Sequence, residues 1–266
     1  MEITVPEPGD VLAGMGSVQA TLGGEQRGIA EWRAAYEENL PAARQRPDIA
    51  IFNTFVNSLL ERAMSGEAWT RRRQAIQQVF LSLEDVTEDS AQNVLAEARY
   101  RFPRDGTSVI LEAKRIVTEA GFTWPGYVER AEQNYEGDFR EDLFLKVRGV
   151  SYKTRDLALS ELSDRFVAID LHVVRVTSRT GLLLHGYGDP RITTDLSRAH
   201  GYLFFHDLML KLARLTGWPG TGYSPGEIDR MFWHFGRAIC GATPDCRNCP
   251  LAGVCLTSVG RAAGDL

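Results

Sequence analysis

The chain has 266 residues, 44% of them hydrophobic and 24% charged, so it is long enough to bury a sizeable core without disulfide staples. Its formal net charge of -5 gives no global reason to expect a nucleic-acid partner. No apolar run approaches the roughly 18 to 20 residues that span a bilayer, and the first residues lack the basic and apolar regions of a secretion signal. We therefore expect a cytoplasmic protein, nucleoid-associated if bacterial, with no membrane partner.

Hydrophobic periodicity predicts an all-α protein, beginning with a helix in the stretch AIFNTFVNSLLERAM. Ile51, Phe55 and Leu59 recur there at four-residue steps, as in a helix with one buried face. Similar patterns follow in TRRRQAIQQVFLSL, SAQNVLAEARY, TSVILEAKRIVTEAG and REDLFLKV. The β-branched residues of LHVVRVTSRTGLLL are compatible with a strand, but no paired strand and turn accompany them.

Helix-ending and helix-starting residues agree with this assignment. Gly121 lies where the helix in VTEAG would end. Ser224 is a predicted N-cap, with Pro225 at the first helical position and Glu227 closing a capping box, so the last helix is expected to run into Cys240. The stretch LLLHGYGDPRITTD is predicted to be a loop or insertion, and residues 1–45 and 183–196 receive no role.

The four cysteines of the chain all lie near its end, with the spacing C-x5-C-x2-C-x5-C: Cys240, Cys246, Cys249 and Cys255. A compartment that keeps thiols reduced makes such a group a metal site rather than two disulfides. The x2 gap allows two sulfurs to bind one centre from a tight turn, and the x5 loops allow the outer two to close around it. Four thiolates suit a structural zinc or a [4Fe-4S] cluster, and ligand type does not separate the two.

The stretch HFGRAIC and the cysteines after it resemble the C-terminal end of the endonuclease III-type helix-hairpin-helix DNA glycosylases. The pattern of that family is G-R followed by C-x6-C-x2-C-x5-C around a [4Fe-4S] cluster. This chain has Gly236 and Arg237 in the corresponding places, and its first gap is one residue shorter. The resemblance implies a [4Fe-4S] cluster on the four cysteines, with structural zinc as the alternative.

The same family carries a helix-hairpin-helix, and EDLFLKVRGVSYKTRDLAL predicts a helix, a G-V-S turn and a second helix. A glycine-containing turn that opens a helix points unpaired N–H groups at a phosphate, which positions a protein on DNA. The family form is L-P-G-V-G-x-K-T-A. Here Arg148 replaces the proline, Ser151 the second glycine and Arg155 the small residue. The predicted DNA contacts are Arg148, Gly149, Ser151 and Thr154; Arg155 is a further candidate, and glycine would adopt the backbone expected at Ser151 more cheaply.

Two residues are predicted to carry the chemistry. Lys153 matches the lysine that attacks the deoxyribose C1′ in the lyase-competent members, and such an amine must be neutral to react. The stretch VAIDLHVVRVTSRTGL resembles the family motif V-D-T-H-[VI]-x-R-V-x-x-R-T, in which Asp170 matches the acid. A carboxylate beside the sugar stabilises positive charge at C1′ and helps to handle the lysine proton. As alternatives, Lys153 is a surface lysine and Asp170 only a helix N-cap; Leu171 replaces the family threonine, and His172 is assigned to structure.

The resemblance weakens toward the N-terminus. The stretch FNTFVNSLLERAMS resembles the helix and the Ser-Gln-type segment that fills the hole left by an extruded base. The place of the glutamine is taken here by Glu61, Arg62 or Ala63. The stretch YRFPRDGTSVILEAKRI resembles the loop and helix that carry a wedge residue, for which Phe102, Pro103 and Arg104 are candidates. Core packing is the alternative role for Phe102.

Together these motifs predict an all-α, two-lobed DNA glycosylase fold with an iron-sulfur cluster loop. Residues 48–165 would form a six-helix barrel-type lobe that ends in the hairpin, and residues 1–47 with 166–266 the cluster lobe. The resemblance implies a monomeric base-excision-repair glycosylase with AP lyase activity, whose partner is double-stranded DNA that contains a damaged or modified base. In that mechanism Lys153 attacks C1′ with assistance from Asp170, and the Schiff base permits β-elimination.

Several alternatives remain open at this point. The same fold would suit 8-oxoguanine or another modified base in place of an oxidised pyrimidine, and the sequence does not say which base is excised. A DNA-binding protein of this fold with weak or no catalysis belongs to another class. A zinc-stabilised helical module with no role on DNA is the remaining alternative.

Overall fold

The structure, a computed structural model, describes residues 5–60, 66–135, 139–196 and 198–258. Helices dominate these ranges, which confirms the all-α prediction. The chain divides into two compact units, one of residues 39–168 and one of residues 1–38 with 169–266. The lobe boundaries expected from the sequence stay predictions.

The unit of residues 39–168 is built of helices around an aromatic core. Its helices are α3 (Asp48–Leu59), α4 (Gly66–Val79), α5 (Glu88–Glu97), α6 (Pro103–Glu119), α7 (Trp124–Gln133) and α8 (Tyr152–Ser160), with 3-10 helices at Phe139–Glu141 and Leu143–Lys146. The ring of Phe55 lies 5.1 Å from that of Trp124 and 4.9 Å from that of Phe144. The apolar face predicted for the first of these helices is therefore the face that α3 buries, with Ile51, Phe55 and Leu59 all inside.

The second unit begins with α1 (Pro8–Gly16), a strand pair of β1 (Gln19–Leu22) and β2 (Glu25–Gly28), and the start of α2 (Ile29–Arg44). It continues with α9 (Leu171–Thr180), a 3-10 helix at Leu182–Gly186, α10 (Ala199–Leu215) and α11 (Pro225–Ala238). Helix α11 packs against both α9 and α10. The strand pair lies in a region that received no role from the sequence. Gly23 and Gly24, both with positive φ, form the two-residue turn that joins its antiparallel strands.

The predicted boundaries of α11 and the predicted end of α6 agree with the structure. The Ser224 Oγ accepts a hydrogen bond from the Glu227 N–H at 3.2 Å, and the Ser224 N–H donates to the Glu227 carboxylate at 2.7 Å, which is the predicted capping box. Helix α11 ends at Ala238, just before Cys240. Gly121 has φ +73° and follows Ala120, the C-cap of α6, so this helix ends where the sequence predicted.

Two stretches differ from the expectation. The stretch REDLFLKV forms two short 3-10 helices instead of an α-helix, because the Asp142 side chain accepts the Phe144 N–H at 2.8 Å and interrupts the helical pattern. The region after α9 begins with a 3-10 helix before it becomes the predicted loop. Among the residues that the structure describes, no helix combines the length and the apolar character needed to cross a membrane.

Candidate active site and cysteine segment

The hairpin turn runs from Val147 to Ser151 and depends on one glycine. Gly149 has φ +88°, a conformation that glycine adopts without a Cβ clash. The Val150 N–H donates to the Val147 carbonyl at 3.1 Å and closes the turn. The Arg148 N–H donates to the Glu112 carboxylate of α6 at 3.2 Å, and the Arg148 side chain is exposed. The turn is thereby tied to the body of its unit while Arg148 stays free to meet a ligand.

Ser151 corrects an expectation about this turn. Its φ is −111° and its ψ 168°, which is extended backbone that does not favour glycine. Ser151 is the N-cap of α8: its Oγ accepts the Thr154 N–H at 3.3 Å, and the Thr154 Oγ1 accepts the Ser151 N–H at 2.9 Å. Serine is among the preferred N-cap residues, so Ser151 replaces glycine with a gain in helix stability. The cost expected from the loss of the second glycine is therefore wrong.

Lys153 is the second residue of α8 and projects from the turn. It is exposed, and its ammonium group has no hydrogen-bond or ion-pair partner in the described part of the chain. A lysine on a rigid helix with no partner is available to an incoming reactant. The first turn of the helix also presents backbone N–H groups, which attract a negatively charged phosphate.

Arg155 is wholly buried, with 0% of its surface exposed. Its guanidinium pairs with the carboxylates of Asp142 at 2.9 Å and Asp156 at 2.5 Å. The hypothesis that Arg155 contacts a phosphate is therefore wrong. Burial by itself would lower the pKa of Arg155, but Asp156, Tyr127 and Asp142 together raise this pKa above its ordinary value, so the group stays charged.

Asp170 is the N-cap of α9, as its alternative role required. Its Oδ1 accepts the N–H groups of His172 at 2.6 Å and Val173 at 3.2 Å. The other oxygen, Oδ2, has no hydrogen-bond partner among the described residues. The cap fixes the orientation of the carboxylate through one oxygen and leaves the second available. A capping role and a chemical role are therefore compatible in this residue, and the chemical role stays a prediction.

The residues beside Asp170 differ in exposure. Leu171, which replaces the family threonine, is 66% exposed. The imidazole of His172 lies against α11, where a Cβ built on Gly236 would be 2.5 Å from the His172 Nδ1. The glycine of the HFGRAIC stretch is thus required by a close helix contact, which agrees with the structural role assigned to His172.

The cysteine segment is held at both ends by Arg179, in the last turn of α9. The Arg179 guanidinium donates to the carbonyls of Gly241 at 2.5 Å and Ala242 at 3.1 Å, and it lies 3.7 Å from the Cys240 Sγ. The Cys255 Sγ donates to the Arg179 carbonyl at 3.0 Å. The first and last cysteines therefore meet at one residue.

The four cysteines are not in disulfides. Burial raises the pKa of the Cys249 thiol, and the neighbouring cysteines raise it further. Within the described ranges, no three Cys, His, Asp or Glu side chains are arranged as ligands of a metal ion. The donor set fits a group that takes four thiolates.

The fold has counterparts among known structures. It matches a trapped endonuclease III–DNA covalent intermediate with a TM-score of 0.55 and 17% identity, over 89% of this chain and 99% of that one. It also matches the Methanocaldococcus jannaschii 8-oxoguanine glycosylase/lyase in complex with a 15mer DNA containing 8-oxoguanine, with a TM-score of 0.56 and 18% identity, over 78% of this chain and 90% of that one. The chain has the helix-hairpin-helix DNA glycosylase fold.

Sequence comparison adds one relative of this glycosylase fold. The chain is 26% identical to the 8-oxoguanine DNA glycosylase/AP lyase of Korarchaeum cryptofilum (strain OPF8) over 192 residues. The aligned region covers 72% of this chain and 82% of that protein. No protein-family model matches the sequence. The resemblance read from the hairpin and the Asp170 motif is confirmed at the level of the fold.

The predicted wedge residues lie where the glycosylase-fold chain enters α6. Phe102 is 41% exposed, with the Arg101 guanidinium 5.3 Å from its ring centre, so core packing is wrong as its role. Arg104 is exposed in the first turn of the same helix. Contact of either residue with DNA stays a prediction. Arg62, with its neighbours Glu61 and Ala63, lies outside the described residues.

Two features of this glycosylase-fold chain were missed from the sequence. One is the buried ion-pair cluster of Arg155, and the other is the attachment of the cysteine segment to Arg179. A signal for the first was present, because Arg155 lies four residues before the buried Leu159 and so on the buried face of α8. No local signal showed which carbonyls Arg179 would meet, since its partners lie more than 60 residues further along the chain.

Proposed function

We propose that this chain is a base-excision DNA glycosylase with associated AP lyase activity. The observation that carries the proposal is Lys153: an exposed amine without a partner among the described residues, on the helix that opens after the Gly149 turn. The lysine and the turn occur in a chain with the glycosylase fold. An exposed lysine at this place would also suit a phosphate contact in a DNA-binding protein without catalysis, so covalent trapping is the measurement that separates the two functions.

In the proposed reaction, the neutral Nζ of Lys153 attacks C1′ and forms a C1′–N bond. The bond from C1′ to the base breaks, and the base leaves with that electron pair and takes up a proton. The Asp170 carboxylate stabilises the positive charge that develops at C1′ and accepts a proton from the lysine nitrogen. The nitrogen lone pair then forms the C1′=N bond of a Schiff base as the C1′–O4′ bond breaks, and O4′ leaves with that electron pair and takes up a proton from solvent.

The lyase step follows from the Schiff base. Loss of a proton from C2′ lets its electron pair form a C2′–C3′ double bond, and the C3′–O bond breaks with the phosphate as leaving group. Water then hydrolyses the Schiff base and releases Lys153. The exposed side chain of Arg148 is the candidate for a phosphate contact, and Arg104 is a candidate wedge residue.

The proposed substrate is duplex DNA with 8-oxoguanine. Support comes from the Korarchaeum cryptofilum relative, which is named an 8-oxoguanine DNA glycosylase/AP lyase. An oxidised pyrimidine is the second candidate, supported by the likeness to endonuclease III. The two differ in the base that must stack and hydrogen-bond in the pocket.

We further propose that Cys240, Cys246, Cys249 and Cys255 hold a [4Fe-4S] cluster. A bound cluster would supply a four-fold cross-link of the segment rather than reaction chemistry. Four thiolates suit zinc as well as a [4Fe-4S] cluster, and the resemblance of the HFGRAIC stretch and its cysteine spacing to the endonuclease III-type glycosylases supports the cluster. The Arg179 guanidinium, 3.7 Å from the Cys240 Sγ, would face the Cys240 thiolate with a positive charge.

Borohydride trapping tests the proposed function. Wild-type protein is incubated with a duplex that contains an abasic site, or 8-oxoguanine, or thymine glycol, and the covalent adduct is measured. Lys153→Gln is expected to abolish the adduct, because the amide cannot form a Schiff base. Lys146→Gln is the matched control, since Lys146 is an exposed lysine of the same hairpin, and it is expected to trap as wild type does.

The outcomes separate the candidates. An adduct with the 8-oxoguanine duplex supports the proposed substrate. An adduct with the thymine glycol duplex and none with the 8-oxoguanine duplex supports the pyrimidine alternative. If an adduct forms with the abasic duplex and with neither modified duplex, the protein has lyase activity and excises a base other than these two. Absence of any wild-type adduct, with DNA binding retained, rejects catalysis and favours the binding-protein alternative.

A further inference from the structure

The hairpin contains a buried charge cluster at its base. Arg155, in the first turns of α8, and Asp142, the N-cap of the 3-10 helix before the turn, are 13 residues apart in sequence and joined by an ion pair of 2.9 Å. Their side chains are 0% and 8% exposed. The residues between them include the whole turn and Lys153. The ion pair therefore links the two arms of the hairpin on either side of the reactive lysine.

Asp142 is fixed by more than the arginine. Its Oδ1 accepts the Phe144 N–H at 2.8 Å and the Tyr127 hydroxyl at 2.7 Å, while its Oδ2 accepts the Arg155 guanidinium. Burial raises the pKa of Tyr127 well above its ordinary value, and Asp142 raises it further, so this hydroxyl is a neutral donor. One carboxylate thus joins α7, the arm before the turn and the arm after it.

Arg155 is equally constrained. Its second carboxylate partner is Asp156, which is 0% exposed, and the rings of Phe139 and Phe166 each lie 5.3 Å from its guanidinium carbon. A planar guanidinium between two carboxylates and two rings has one orientation available. A buried cluster of this kind adds little net stability compared with apolar packing, but it specifies a geometry.

We propose that Arg155 and Asp142 are positioning residues that fix the hairpin arms and thereby the place of the Lys153 amine. The inference rests on the proposed function, because it assigns to the cluster the orientation of the amine used in that reaction. Lys153 lies two residues before Arg155 on the same helix, so a rotation or shift of α8 that loosens the ion pair moves the amine directly. The family form has a small residue at the position of Arg155, so the Arg155–Asp142 ion pair is a feature of this chain and not of the family form.

The test compares two isosteric substitutions in the same unit. Asp142→Asn keeps an oxygen that accepts the Phe144 N–H and removes the ion pair. Asp48→Asn is the matched control: the Asp48 Oδ1 accepts the Trp124 N–H at 2.6 Å, a similar contact away from the hairpin. The rate constant of borohydride trapping is measured at saturating abasic duplex, and the Kd is measured with a duplex that carries a tetrahydrofuran abasic analogue, which cannot form a Schiff base.

We expect Asp142→Asn to bind the analogue as wild type does and to trap about 10- to 100-fold more slowly, since small misplacement of a reacting group costs rate rather than binding. Asp48→Asn should trap at the wild-type rate. Arg155→Lys, which keeps the charge but not the two-pronged geometry, should also slow trapping. It replaces Asp142→Asn if that variant does not fold, with rates normalised to the fraction that binds the analogue.

Two results would overturn the inference. One is trapping by both hairpin variants at the wild-type rate, and the other is a loss of trapping that only parallels the loss of analogue binding. If wild type traps and Lys153→Gln does not, either result rejects the positioning role and leaves the proposed function standing. If wild type itself does not trap, the proposed function fails and the inference fails with it.

Discussion

The backbone of Gly236 lies directly against the imidazole of His172, so close that a Cβ at residue 236 would be 2.5 Å from the His172 Nδ1 and 3.1 Å from its Cβ and Cγ. This contact joins the last turn of α11 to the start of α9, one residue beyond the exposed Leu171 and two beyond the Asp170 cap. It explains in physical terms why the HFGRAIC stretch has glycine at this place.

Gly236→Ala is expected to destabilise the protein by about 1–3 kcal/mol, because the added methyl group forces two packed helices apart. Urea unfolding measures the change. Gly9→Ala is the control, since Gly9 also lies in a helix and has nothing within 4 Å of a Cβ; it should be neutral or stabilising. If the clash is the cause, His172→Ala must reduce the cost of Gly236→Ala in the double variant.

Ser151→Ala should lower the free energy of unfolding by about 1 kcal/mol, and Ser151→Gly by only a few tenths, because both remove the side-chain cap of α8 but glycine tolerates the N-cap better than alanine. The same pair of substitutions at Thr87, which caps α5 in a similar box, gives the comparison. A gain in stability for Ser151→Gly would mean that this position does prefer glycine.

Asp170→Asn separates the two roles of this residue. Asparagine keeps an oxygen for the His172 and Val173 N–H groups, so the free energy of unfolding should change by less than about 0.5 kcal/mol. Loss of the negative charge should slow base release in single-turnover assays by about 100-fold or more. Equal base release by Asp170→Asn and wild type would leave Asp170 with the capping role only.

Acid should destabilise the protein through His234. Burial, with Arg230 and Arg237 nearby, lowers the pKa of His234 to about 4, and its ring stacks on that of Trp32 at 5.4 Å. The unfolded histidine has a pKa of about 6.5, so between these values the unfolded state binds a proton that the folded state does not. Stability from this residue is complete above about pH 6.5 and is lost as the pH falls toward 4.

His234→Phe keeps a ring for stacking and cannot take up a proton, so its stability should vary less with pH across this window. Thermal unfolding at several pH values between 4 and 7 measures the difference. The same slope in wild type and variant would show that other groups cause the acid sensitivity.

The cysteine segment gives a prediction on metal content. Purified protein kept from oxygen should contain iron and absorb visible light, and Cys246→Ser should lose iron. Arg179→Gln should also retain less iron, because it removes the contacts to Gly241 and Ala242. Arg247→Gln, in the same segment and exposed, is the control. Zinc in place of iron in a protein prepared without oxygen damage would reject the cluster.

Local chemistry explains which parts of the fold were predictable. Ser224 and Glu227 are three residues apart, and their capping box follows from side chains that reach only that far. The end of α6 at Gly121 is also local, because glycine adopts a positive φ more easily than other residues. The prediction of an α-helix in REDLFLKV was wrong because it used the periodicity alone. The Asp142 carboxylate accepts the Phe144 N–H and hydrogen bonds from other elements, which the periodicity does not show.

The candidate site shows the same limit. Lys153 and Asp170 were found because motifs with fixed spacing mark them, and the structure adds an exposed amine and an N-cap with one carboxylate oxygen available. Arg155 was misplaced because an arginine on a helix is usually solvated. Its burial depends on Asp142, Phe139 and Phe166, which only tertiary structure brings to it.

The cluster around Arg155 has a consequence for how this chain diverged. Replacing Arg155 by a small residue leaves Asp142 and Asp156 buried without a counter-charge, and replacing both acids leaves an unpaired guanidinium inside the protein. Either change without the other is strongly destabilising. The arginine and its acids are therefore expected to be gained or lost together, and homologues with a small residue after the Lys-Thr pair should lack the acids as well.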